Sequence, residues 1–88
     1  MPSRFLLTQT QAYESARAKL SREARLTLSF VEDGIADDPD DRHYRFERLD
    51  GTVIDHRGQG LFVAYRRVTS DTVLLIAVID LHNPPLWP

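Results

Sequence analysis

Arg57, Arg66 and His82 are the side chains in this sequence whose types and positions could do chemistry together. Arg57 precedes the bend Gly58-Gln59-Gly60. Arg66 lies within the apolar run Gly60–His82, next to Arg67. His82 closes that run two residues after Asp80. His56 follows Asp55, one step before Arg57. A histidine can transfer protons near neutral pH, and an arginine can stabilise a pentavalent phosphate. Its planar fork suits phosphate or carboxylate through paired hydrogen bonds. Asp80 with His82, Asp55 with His56, and Arg57 could therefore form an acid–base set for RNA cleavage. Nothing in the spacing brings His56 to His82, and the plainer reading is surface residues at strand ends and turns. Asp80-x-His82 lacks a third metal ligand in register, so neither metal nor cofactor is expected.

The chain that must position these residues is short. With 88 residues, a single domain spanning 1–88 is expected, one that buries a modest fraction of its surface. There is no cysteine, which suits a reducing compartment. The start, "MPSRFLL", lacks the apolar core of a signal peptide, and no segment approaches the roughly 20 apolar residues that span a bilayer. The expectation is a cytoplasmic protein with no membrane association. The net charge of −2 is unevenly spread. Arg17, Lys19, Arg22 and Arg25 make the first half basic. Glu32, Asp33, Asp37, Asp38, Asp40 and Asp41 crowd the next stretch, and further arginines follow. That pattern excludes a uniformly basic nucleic-acid binder but leaves room for a local basic face.

"RFLLT" reads as a strand. Thr8-x-x-Gln11 matches a capping box for a first helix, with Tyr13, Ala16 and Leu20 on one face. A second helix begins with Ser21 as N-cap, takes its apolar side from Leu26, Phe30 and Val31, and stops at Gly34. An antiparallel helix hairpin and one bent helix both fit. "ADDPDD" is a loop. "RHYRFERL" and "TVIDHR" are paired strands joined at Asp50-Gly51, a two-residue hairpin signal. "GQG" bends or bulges the chain. "LFVAYRRV" and "TVLLIAVIDL" are the last strands, turned at Thr69–Thr72. Residues 83–88 form a proline-rich tail. The class is α+β: an N-terminal strand and a two-helix hairpin packed on a mostly antiparallel sheet of four or five strands.

Strict alternation along the last strand puts Val73, Leu75, Ala77, Ile79 and Leu81 on one face and Leu74, Ile76 and Val78 on the other. Both faces are apolar, so both require cover. Two short helices cover one. The other needs the tail with Leu86 and Trp87, a second copy, or a partner protein. Adjacent Arg66 and Arg67 point to opposite faces. Tyr44, Phe46 and Tyr65 read as core or cross-strand packing rather than stacking platforms.

The segments "GIADDPDD", "RLDGTVIDHRGQG" and "GLFVAYRRVTSDTVLLIAVIDLH" together resemble the RelE/ParE superfamily of bacterial toxins. The resemblance covers most of the chain. It implies a β-α-α-β-β-β fold and the toxin role in a type II toxin–antitoxin module, neutralised by a small antitoxin. The implied target is mRNA at the ribosome, cut by a metal-independent endoribonuclease, or DNA gyrase. Arg57 matches a basic position before the glycine bend, and His82 falls near the residue closing the last strand. With Arg66, these are the candidate catalytic residues. Two positions depart from the nuclease pattern: Phe62 stands where an arginine precedes the tyrosine matched by Tyr65, and Asp55 falls near a lysine position. The alternative is a non-catalytic, protein-binding or self-associating module on a degenerate toxin fold.

Overall fold

The computed structural model describes residues 4–82. The elements run β1 (Leu6–Gln9), α1 (Gln11–Ala18), α2 (Arg22–Asp37), β2 (Arg45–Glu47), β3 (Val53–Asp55), β4 (Leu61–Arg67) and β5 (Thr72–Asp80). The strands form one sheet in the order β1-β5-β4-β3-β2. Only the β1–β5 pair is parallel. The expected α+β arrangement is therefore present, with both helices on one face of the sheet. The proposed tail contacts of Leu86 and Trp87 lie outside the described residues.

The helices form a hairpin because the chain breaks at Leu20-Ser21 and recaps. Ser21 Oγ accepts the Ala24 N–H at 3.1 Å. The first cap differs from the capping-box reading. Thr10, not Thr8, accepts the Tyr13 N–H, at 3.1 Å. Thr8 belongs to β1, where its hydroxyl donates to the Val73 carbonyl. Across the hairpin, the Tyr13 hydroxyl donates to Glu32 at 2.7 Å, and Arg17 donates to both Glu32 oxygens and to Ser29. Burial, and then the hydrogen bond to Glu32, push the Tyr13 phenol well above its ordinary range. Glu32 in turn raises the pKa of Arg17.

Two helical expectations are corrected. Helix α2 runs through Gly34 to Asp37. Two guanidinium groups approach the helix backbone at Gly34: a Cβ there would lie 3.4 Å from Arg57 Nη1 and 3.7 Å from Arg45 Nη2, at ordinary contact distance. The buried side of α2 is Leu28, Val31 and Ile35, whereas Leu26 and Phe30 face solvent, at 57% and 78% exposure. Helix α2 carries two apolar stripes on opposite sides, and Tyr13 and the sheet select one. The core closes on Val53, Leu61, Val63, Tyr65, Val73, Leu75 and Val78. Fully burying each such aliphatic side chain contributes about 1.5–3 kcal/mol.

Alternation along β5 is interrupted. Tyr65 pairs with Leu75 and Ala64 with Ala77, which leaves Ile76 as an extra residue. This bulge shifts the parity. Val73 and Leu75 face the helices before it, and Val78 and Asp80 after it. The N-terminus of α1 holds the irregular backbone: the Thr10 hydroxyl donates to the Ile76 carbonyl at 2.8 Å, and the Thr10 N–H to the Leu75 carbonyl.

The β2–β3 connection is longer than two residues. Arg48 N–H donates to the Thr52 carbonyl, and Gly51 N–H donates to the Arg48 carbonyl, with Gly51 at φ 87°. That is a three-residue turn ending in a left-handed glycine. The GQG bend is confirmed as two successive left-handed residues, Gln59 and Gly60 at φ 48° and 96°. A Cβ on Gly60 would also lie 2.5 Å from the His82 ring, whereas one on Gly51 would meet nothing within 4 Å. Gly60→Ala should therefore cost about 1–3 kcal/mol in urea denaturation, and Gly51→Ala less than that. Equal costs would show that the His82 contact yields freely.

Candidate functional site

Arg57, Arg66 and His82 occupy three separate environments. Arg57 reaches back under the sheet toward α2. Its Nη2 donates to the His43 carbonyl at 3.1 Å and lies 3.7 Å from Asp41 Oδ2, and its guanidinium carbon sits 5.7 Å from the Tyr44 ring centre. The His43 N–H, bonded to Asp41 Oδ1, holds the Asp41 carboxyl below the usual carboxylate range. His82 lies past the end of β5, with Nε2 3.2 Å from the Gln59 carbonyl oxygen and its backbone N–H on Asp80. It lines a cavity of about 250 Å³ with Ser21, Glu23 and Thr27 at the start of α2. Arg57 and His82 thus share the end of the sheet where the GQG bend lies. Arg66 is near the other end of β4, where Nη2 donates to the Asp50 carbonyl at 2.9 Å and to Thr52 Oγ1 at 3.3 Å.

Nor does the structure bring the histidines together with their neighbouring acids as acid–base pairs. Asp55 and His56 point to opposite faces. Asp55 is buried on the helix side, where Oδ2 accepts from Arg45 Nε at 2.6 Å and Oδ1 accepts the Arg57 N–H. Among the described residues, no group of three metal-ligating side chains occurs.

The side of the sheet away from the helices carries the other coherent surface. The register aligns Phe46, Ile54, Ala64 and Ala77 in one row across β2, β3, β4 and β5. Phe62 pairs with Ile79 beside that row, and Arg66 pairs with Leu74 on its other side. The His56 ring lies 6.0–6.4 Å from Tyr44, Phe46 and Phe62, centre to centre. Tyr44, Phe46 and Ile79 remain about half exposed. The two alanines make the β4–β5 half of the row shallow, with aromatic rings on one side of the row and an arginine on the other. Tyr65 is the exception among the tyrosines and aromatics read as packing: it is fully buried among the helices. The alternation of "RHYRFERL" against "TVIDHR" was the signal for this face. It was obscured because Tyr44 takes φ 61° and leaves the strand pattern.

Arg67 lies on the helix side, as adjacency to Arg66 requires. It pairs with Asp40 at 2.7 Å, and its guanidinium carbon is 4.9 Å from the Phe5 ring centre. Arg42, Arg66 and Arg67 line a cavity of about 320 Å³ together with Asp40, Glu47 and Asp50. The mixed charges leave no net basic pocket there.

No protein-family model and no curated protein matches the sequence. Solved structures do match the fold. The toxin–antitoxin complex RelBE2 of Mycobacterium tuberculosis contains a chain similar at TM-score 0.71 and 18% identity, over 85% of this chain and 95% of that one. A chain of the intact E. coli RelBE toxin–antitoxin complex is similar at TM-score 0.71 and 16% identity, over 84% and 93%. One from the archaeal RelE–RelB complex of Pyrococcus horikoshii is similar at 0.67 and 11%, over 89% and 96%. Two helices on a five-stranded sheet in this order are thus a RelE-like fold.

Proposed function

We propose that this chain is the toxin component of a type II toxin–antitoxin pair and that a small antitoxin binds across its open sheet face. The observation that carries the proposal is the row Phe46–Ile54–Ala64–Ala77 on a RelE-like sheet. The described chain leaves that apolar row without a covering layer of helix or sheet. Contiguous apolar surface of this kind marks interaction sites, and the similar chains were solved in toxin–antitoxin complexes. The target is mRNA at the ribosome or DNA gyrase. No helix among the described residues is long and apolar enough to cross a membrane.

Arg57, Arg66 and His82 enter this reading as separate contacts to the target, not as one acid–base centre, because they face three different surroundings. Arg66 carries the greatest weight, since it alone of the three borders the open apolar row. The dispersal of the three and the presence of Phe62 beside that row also favour a second reading, a non-catalytic binding module.

Expression of the unaltered chain alone should arrest growth. Arg66→Ala should relieve the arrest most, and Arg57→Ala and His82→Ala partly, with Tm close to that of the unaltered protein. Arg67→Ala, on the helix side, is the control. Toeprinting of translating mRNA and a gyrase supercoiling assay identify the target. A chain that is harmless at high expression, and inert in both assays, rejects the toxin reading and leaves the binding module.

A further inference from the structure

The outer face of α2 carries a stripe that the fold does not use. Arg22, Leu26, Phe30, Asp33 and Asp37 recur every three or four residues, on the side opposite Leu28, Val31 and Ile35. Leu26 and Phe30 form an exposed apolar pair one turn apart, and Phe30 is the more exposed at 78%. Burying a phenylalanine is worth about 1.5–3 kcal/mol, and nothing else in the described chain covers this one. The stripe is basic at its start and acidic at its end. Arg22 lies before the apolar pair, and Asp33 and Asp37 after it.

That order is self-complementary. A two-fold axis beside residue 28 runs two α2 helices antiparallel. Residue i then opposes residue 56 − i. Leu26 of one copy meets Phe30 of the other, twice. Arg22, opposite position 34, comes within one residue of Asp33 of the second copy, on the same flank. We propose that α2 is a self-association surface and that its occupant is a second copy of this chain. An isologous contact needs one patch to be its own partner, and this stripe satisfies that in both shape and charge. Arg4 already holds Asp33 and Asp37 within the chain, at 3.2 Å to each. The incoming Arg22 would add a second cation to carboxylates that remain about 70% exposed.

The surface is independent of the open sheet face and of the toxin reading. The test is sedimentation equilibrium of the full chain. The unaltered protein should dimerise, and Phe30→Asp should weaken the dimer by roughly 30-fold or more, as loss of a central aromatic anchor does, with an unchanged far-ultraviolet spectrum and Tm. Arg22→Asp and Asp33→Arg should each weaken it, and the two combined should restore it. That rescue separates a specific antiparallel contact from general stickiness. Phe46→Asp, on the open sheet face, should leave the dimer intact. A protein that stays monomeric at millimolar concentration overturns the proposal. So does a dimer that survives Phe30→Asp, one that Phe46→Asp dissociates, or a charge swap that fails to rescue.

Discussion

Asp55→Ala should destabilise the domain by about 3–5 kcal/mol, because it strands a buried guanidinium. Arg45 and Asp55 are each 1% exposed at the side chain, and Nε and Oδ2 are 2.6 Å apart. Arg45 does more than pair. Its Nη1 donates to the carbonyls of Asp38 and Asp41, and its guanidinium carbon lies 5.7 Å from the Tyr65 ring centre. The Tyr65 hydroxyl donates to the Pro39 carbonyl at 2.7 Å. These bonds dock the acidic loop after α2 onto the sheet. Burial pushes the Tyr65 phenol up, so it stays a neutral donor. Domains of this size are stable by about 5–15 kcal/mol, so the loss is a large fraction, equivalent to a fall in Tm of roughly 12–40 °C. Urea denaturation should show it directly. Replacing both partners, Arg45→Met with Asp55→Leu, should recover part of the loss, since an apolar pair leaves no buried charge. Recovery stays incomplete because the loop carbonyls and the Arg57 N–H lose their partners. An Asp55→Ala protein within 1 kcal/mol of the unaltered one would show that water reaches Arg45 and that the loop is not clamped.

That cluster also explains which parts of the structure were legible in the sequence. Element order follows from local signals: Ser21 as a cap, glycine turns, and long β-branched runs. These act over a few residues, and nothing distant competes with them. Gly34 was misread as a stop because what carries the helix past it is distant. The helix continues past it because Ile35 packs in the core against the sheet. The choice between the stripes Leu26–Phe30 and Leu28–Val31–Ile35 has the same origin. Periodicity shows that α2 has apolar sides, and only the packing of Tyr13 and β4 decides which is inside. The β5 parity failed after Leu75 because a bulge adds one residue without changing the composition. One slip of that kind reverses every later side chain.

The candidate site was less legible than the fold, for a related reason. Arginine and histidine were chosen by type and by nearness in the chain. In the fold, their partners are mostly backbone carbonyls: His43 for Arg57, Asp50 for Arg66, Gln59 for His82. Such bonds leave no trace in composition. Each one fixes a loop beside the residue that makes it. The open row, by contrast, is a property of register. It appears only when Phe46, Ile54, Ala64 and Ala77 are aligned across four strands.

If the proposed antitoxin binds the open row, Ala64→Arg should abolish its capture while leaving the fold intact. Ala64 lies in the middle of the row, between Ile54 and Ala77, on the face away from the core. An arginine there fills the shallow centre and places a charge where the partner's apolar side chains must desolvate. Charge at the centre of an interface typically costs more than 2 kcal/mol, or roughly a 30-fold loss of affinity. The long side chain can extend into solvent, so the cost to stability should be about 1 kcal/mol or less. The partner to test is the product of a short acidic reading frame abutting the gene for this chain, and calorimetry of the purified pair reads the affinity. Phe30→Asp, on the opposite layer, should bind that partner as the unaltered chain does. Growth then gives a second readout. If the target is reached through other surfaces, Ala64→Arg should remain toxic even with the partner co-expressed, because it can no longer be neutralised. If Ala64→Arg also loses toxicity when expressed alone, the target and the antitoxin compete for the same face. An Ala64→Arg protein that binds the partner as tightly as the unaltered chain would remove the open row from the interface. The binding surface would then have to be sought on the helices.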